Sequence, residues 1–227
     1  MESVDGGGGA LAPLFWLLAN GGTVVAILLV LSVVALAVIL LKLWQFWRLR
    51  VWNWGPLEAA AEAWRAGDAE TALARLSRTP HPAARVLEVA LRGRVRGSDG
   101  ATLREEIQRV ASERLEALRG NLRVLEVIGA LSPLLGLLGT VIGMIRAFQE
   151  LEAAGSQVDP SLLSGGIWEA LLTTAAGLSV AIPVVAILSL LERTVERVGY
   201  GTEDRVTRVF TAELAEPGGA ASPRHAD

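Results

Sequence analysis

Three uncharged apolar stretches constrain this chain more than any other feature. Residues 6–41 carry no charge, and neither do residues 127–145 (VIGALSPLLGLLGTVIGMI) or 170–191 (ALLTTAAGLSVAIPVVAILSLL). A helix needs about 20 apolar residues to cross the hydrocarbon core of a bilayer, and each stretch reaches that length. One such run could be a buried core helix. Three of them in 227 residues leave too little polar surface to cover them. The expected fold class is an all-α integral membrane protein with three transmembrane helices. The second and third are expected to extend into the cytoplasm, alongside a helical cytoplasmic region.

The net charge of −3 says little, but its distribution sets an orientation. Of 21 basic residues, 15 lie in 42–126 and five in 192–227, Arg146 is the remaining one, and none precedes Lys42. Lys and Arg near span ends mark the cytoplasmic side. The expected layout is an outer N-terminal segment 1–22, a first span 23–43, a cytoplasmic region 44–126 and a second span 127–147. An outer connection 148–165, a third span 166–191 and a cytoplasmic tail 192–227 follow. No positive residue precedes the first span, while Lys42, Arg48 and Arg50 follow it. That pattern predicts a signal anchor rather than a cleaved leader. Trp44, Trp47, Trp52 and Trp54 cluster just past it, at the headgroup level that amphipathic rings prefer. Acids interleaved with the basic residues argue against a nucleic-acid surface.

Between the first two spans the punctuation predicts short helices. Pro56 suits a first helical turn in a helix to about Arg65. Gly67 ends that helix, and Asp68 caps the next, to about Ser77. A third helix is expected over 83–96, after Thr79-Pro80-His81-Pro82, and a turn at Gly97-Ser98-Asp99-Gly100. From Thr102 the apolar spacing of Leu103, Ile107, Val110, Leu118, Leu122 and Leu125 is helical. It predicts one unbroken helix from 102 to 152. The third span is expected to run on to about Leu214, before a disordered Pro217-Gly218-Gly219 tail.

The first span is lipid-like, with Thr23 and Ser32 its polar groups. In the second, Gly136, Thr140, Gly143 and Ala147 form one face of small residues. In the third, Ala170, Thr174, Gly177 and Ala181 repeat that spacing. Matching small stripes predict close helix packing, within one chain or between copies. Gly139 joins the packing set, and Pro133 and Pro183 each remove a helical hydrogen bond and predict local kinks. A second face of the third span carries Glu169, Thr173, Ala176 and Val180. Thr174 lies about 140° round from Glu169 at helical periodicity. A carboxylate inside a span is costly, and proton pathways are its leading use. The alternative is that Glu169 reaches interfacial water near the outer end.

The segments LSPLLGLLGTVIGMIRAF (131–148) and GGIWEALLTTAAGLSVAIPVV (165–185) resemble the two signature spans of the ExbB/TolQ/MotA proton-channel family, above all its ExbB and TolQ members. Span order, topology and loop lengths agree. Trp168 departs from the pattern, where the family has a small residue before the Glu. The resemblance implies an inner-membrane homo-oligomeric ring, pentamer-like, around single spans of an ExbD- or TolR-like partner whose membrane Asp carries the proton. It implies that Thr140 and Thr174, with Glu169 and neighbouring Thr173, line or support that path. Proton flow would then drive a TonB- or TolA-like protein acting on the outer membrane.

Other classes fit less well. A substrate transporter of this kind would show internal repeats and broken mid-membrane helices. A pure scaffold would explain the small stripes but not Glu169 and the threonines. The histidines, His81 and His225, stand in a Pro-flanked turn and a tail, and no nucleophilic set, phosphate loop or metal-ligand spacing accompanies them. With no Cys, thiol chemistry is excluded. No enzyme, cofactor or metal is therefore expected.

Overall fold

The computed structural model describes residues 22–154 and 160–211. The outer segment ahead of Gly22, the middle of the 148–165 connection and the tail beyond Thr211 lie outside the described residues. Seven helices are described: α1 (Gly22–Arg48), α2 (Gly55–Arg65), α3 (Ala69–Ser77), α4 (Pro82–Val95), α5 (Gly100–Arg119), α6 (Leu122–Ala154) and α7 (Pro160–Thr211). Three of them, α1, α6 and α7, are long and apolar enough to cross a membrane. This is an all-α membrane protein.

The chain divides into two compact units. The apolar unit combines residues up to Lys42 with Asn121–Leu191, and the polar unit combines Leu43–Gly120 with residues from Glu192 onward.

Local chemistry sets the helix limits in the polar unit. Pro56 and Pro82 occupy the first turns of α2 and α4, where a missing N–H costs nothing. Asp68 caps α3 by accepting from the Thr71 N–H at 2.9 Å. Asp99 caps α5 by accepting from the Ala101 and Thr102 N–H groups. The Thr71 hydroxyl and N–H hold the Asp68 carboxyl, and the Thr102 N–H and hydroxyl the Asp99 carboxyl, below the usual carboxylate range. The helices then bury one face each. Leu57, Ala60, Ala72, Leu76, Ala83, Leu87 and Leu91 form a core joined by Val209 of α7. Val86, Ala90, Leu103, Ile107 and Val110 form a second cluster. Fully burying a Leu contributes about 1.5–3 kcal/mol. Gly93 allows α4 and α5 to approach, because a Cβ there would overlap the Leu103 methyls.

The unbroken helix expected over 102–152 is corrected. The chain breaks at Gly120-Asn121, between α5 and α6. Gly120 takes ψ 138° and closes the last turn of α5 through its N–H to the Glu116 carbonyl at 2.8 Å. Asn121 adopts φ +65°. Asn tolerates the left-handed region because its short amide satisfies the local backbone. The amphipathic spacing continues across the break, and periodicity alone could not register it.

Candidate functional site

The second and third spans meet along an antiparallel seam of small residues. A Cβ on Gly136 would lie 3.0 Å from the Thr173 carbonyl oxygen and 3.1 Å from the Thr174 Cα. At Gly143 it would meet the Ala170 Cβ at 3.1 Å, and at Gly166 the Ala147 Cβ at 2.5 Å. On Gly177 it would sit 2.5 Å from the Ser132 carbonyl oxygen. Backbone therefore faces backbone, as small-residue membrane packing requires. Ala170 and Ala181 are buried. Pro133 lies within α6 and Pro183 within α7, and both helices run on past them.

The seam carries hydroxyls. Thr173, buried, donates to the Ala170 carbonyl at 2.7 Å, with the Gly136 carbonyl 3.3 Å away. Half-buried Thr174 donates across to the same Gly136 carbonyl at 3.2 Å. Both threonines thus converge on one α6 carbonyl. Thr140 does not join them: its hydroxyl donates to Leu137 of its own helix at 2.6 Å, and the residue is half-buried.

Two expected faces change accordingly. The contact row on α6 is Gly136, Gly139, Gly143 and Ala147, with Thr140 on its flank. Gly139 and Thr140 stand about 100° apart, on opposite flanks of the row, and the smaller one takes the seam: a Cβ at Gly139 would meet the Thr173 hydroxyl at 2.5 Å. Thr173 was assigned to a second face with Glu169, but it is 2 % exposed within the seam. Its methyl and hydroxyl fill the space that Gly139 leaves.

Glu169 sits one turn before Thr173, near the α6–α7 connection. Its Oε1 lies 3.8 Å from Arg146 Nη1 on α6. The same oxygen would stand 3.0 Å from a Cβ on Gly22, which starts α1 at φ +60°. All three membrane-length helices thus meet at the carboxylate. Sequence reading did not pair Arg146 with Glu169, nor bring Gly22 to them. The available signal was that Arg146 is the sole basic residue between 127 and 191.

Residues 78–203, over half of the chain and containing the whole seam, match the MotA/TolQ/ExbB proton channel family. The chain belongs to this family. Among curated relatives, the biopolymer transport protein exbB1 of Vibrio cholerae is 41 % identical over 97 residues, covering 42 % of each chain. The Tol-Pal system protein TolQ of Haemophilus influenzae is 36 % identical over 98 residues, covering 43 % of this chain and 39 % of TolQ. The chain thus matches less than half the length of either relative.

Proposed function

We propose that the chain is the proton-channel subunit of an ExbB–ExbD-type complex that uses the proton-motive force to energise a TonB-like protein for outer-membrane transport. The observation that carries the reading is the α6–α7 seam. It holds Thr173 and Thr174 on one carbonyl with Glu169 one turn away, between two stretches, 127–145 and 170–191, that carry no charge. Intramembrane acids of this kind mark ion pathways. The membrane potential supplies about 2.3 kcal/mol per charge per 100 mV. A lone acid per chain makes an incomplete relay, and a single-span ExbD- or TolR-like partner with its own membrane carboxylate completes it. Copies of the chain form a ring around that partner in the bacterial inner membrane. The chain works as a conducting subunit, not as an enzyme. The TolQ relative supports a second reading, a subunit energising a Tol-Pal-like system.

Orientation follows the basic residues: N-terminus and 148–165 outside, 44–126 and 192–227 inside. Single cysteines at Ser98 and Ser156 should label from opposite sides with an impermeant reagent, Ser156 from outside. Labelling of Ser98 in intact cells overturns this orientation.

The functional test is energised uptake of an iron chelate in a complemented strain, with purification of the complex alongside. Glu169→Ala and Thr174→Val are expected to remove most uptake while the complex still assembles. Thr140→Val tests whether the flank of the seam belongs to the path. Wild-type uptake by all three variants would end the proton-path reading.

A further inference from the structure

Glu169 is placed by more than its own helix. Between residues 127 and 191 there are four acids, Glu150, Glu152, Asp159 and Glu169, and one base, Arg146. The guanidinium of that base stands across the helix pair, 3.8 Å from the Glu169 carboxylate. The carboxylate is 34 % exposed and the guanidinium 57 %. Neither is sealed in the seam. Gly22 closes the third side: it begins α1 in the left-handed region, and a Cβ there would reach both Glu169 Oε1 at 3.0 Å and Arg146 Nη1 at 3.9 Å. A side chain at residue 22 would be strained by its φ and would also crowd the pair. The carboxylate therefore occupies a junction made by three helix ends, with a cation from one of them and bare backbone from another.

We propose that Arg146 is a positioning residue for Glu169, a cross-helix cation that orients the carboxylate at the three-helix junction. This rests on the reading of Glu169 as a proton-path residue. The physical reason is directional. A carboxylate on a single helix has freedom about three side-chain torsions and would sample both the seam side, toward Thr173, and the open side. A cation on α6 favours the rotamers that point toward Arg146. It also supplies the counter-charge without which a carboxylate within a membrane-spanning unit is costly. Lys could supply the charge but not the planar fork, and so could hold the carboxylate less rigidly.

The experiment compares Arg146→Gln, Arg146→Lys and Glu169→Gln with the wild type by energised iron-chelate uptake and by thermal melting of the purified complex. Arg146→Gln is expected to lower uptake on the order of tenfold, the scale on which loss of an orienting partner acts. Arg146→Lys is expected to restore most of it. The melting shift caused by Arg146→Gln should vanish in the Glu169→Gln background, since the pair is already broken there. Abolished uptake in Glu169→Gln with wild-type uptake in Arg146→Gln overturns the positioning role and leaves the proton path standing. Equal loss in the Gln and Lys variants, or a melting shift that persists without the carboxylate, also overturns it, since Arg146 then acts by packing. Wild-type uptake in Glu169→Gln removes both the path reading and this inference.

Discussion

In the apolar unit α6 and α7 bring backbone against backbone at Gly136 and Gly177. In the polar unit helices meet through Leu, Ala and Val side chains around Leu57, Leu87 and Leu91. The difference follows from the solvent each composition suits. Lipid tails are as apolar as Leu, and helices in a bilayer gain little by burying Leu against Leu. They associate through close dispersion contact and through hydroxyls such as Thr174 that reach a neighbouring carbonyl. Water penalises exposed Leu, and burying side-chain area stabilises the polar unit instead. The apolar unit therefore uses glycine as an adhesive surface along the seam, and the polar unit uses it mainly as a helix stop, at Gly67 and Gly97, with Gly93 a close-approach glycine between α4 and α5.

That contrast breaks most sharply at Gly177. Leu at this position would drive its Cβ into the Ser132 carbonyl and the Gly136 backbone, and neither is a side chain that can turn away. Ordinary overpacking costs about 1–3 kcal/mol, and this site should exceed that and separate α6 from α7. Uptake should be lost and the purified complex should fall apart on size exclusion. An assembled, active Gly177→Leu protein would show that the seam is looser than its contacts imply. The opposite change tests the polar unit: Leu57→Ala removes a fully buried side chain and should cost about 2–5 kcal/mol by urea unfolding. A loss confined to a few tenths would mean that the Leu57 cluster collapses onto the gap.

The two units also differ in how plainly the sequence announced them. Span existence, the cap Asp68 and the turn at Gly97-Ser98-Asp99-Gly100 were readable because charge depletion, capping and turn residues are local signals. The small stripes were readable as stripes, but not their rotation. Gly139 and Thr140 lie on opposite flanks of the Gly136–Gly143 row, and only the partner helix decides which one enters the seam. Thr173 was named from the sequence, but its place in the seam and the Arg146–Glu169 pairing were not legible, since each depends on which residue of another helix stands opposite. The break at Gly120-Asn121 was hidden by an apolar period that runs through it, although a Gly-Asn pair is itself a turn signal.

A smaller effect should come from the α5 cap. Asp99→Ala removes the acceptor for the Ala101 and Thr102 N–H groups. The first turn of α5 is solvent-exposed, and water replaces part of what is lost. The urea midpoint should fall, by a fraction of the Leu57→Ala effect, and amide exchange should rise at residues 101–103. Unchanged exchange there would show that the helix start does not depend on its cap.

The smallest expected effect is a pH dependence, and it belongs to the polar unit alone. His81 is 2 % exposed. Its Nδ1 accepts from the Ala83 N–H at 3.2 Å, capping α4, which requires that nitrogen to be unprotonated. Its Nε2, 3.0 Å from the Val51 carbonyl oxygen, must then carry the proton and donate. The neutral ring is thus fully engaged. Its face lies against Trp54, with ring centroids 4.3 Å apart, and the Arg205 guanidinium covers Trp54 at 4.1 Å while pairing with Glu58. Arg85, Glu88 and Arg114 share the small cavity beside His81. Burial pushes the imidazole below its ordinary value of 6.5; the Val51 bond opposes this, and the nearby Arg205 charge adds to it. A base with a lowered folded pKa contributes stability that is complete above the ordinary value. That contribution is lost as pH falls from there toward the folded pKa, because the unfolded chain takes up the proton first. His81→Asn keeps a capping side chain but cannot titrate. Between about pH 7.5 and about pH 5.5, a window that isolates histidine among ordinary side chains, the wild-type urea midpoint should fall more than that of His81→Asn. Parallel pH profiles for the two proteins would show that protonation of His81 does not work against the fold.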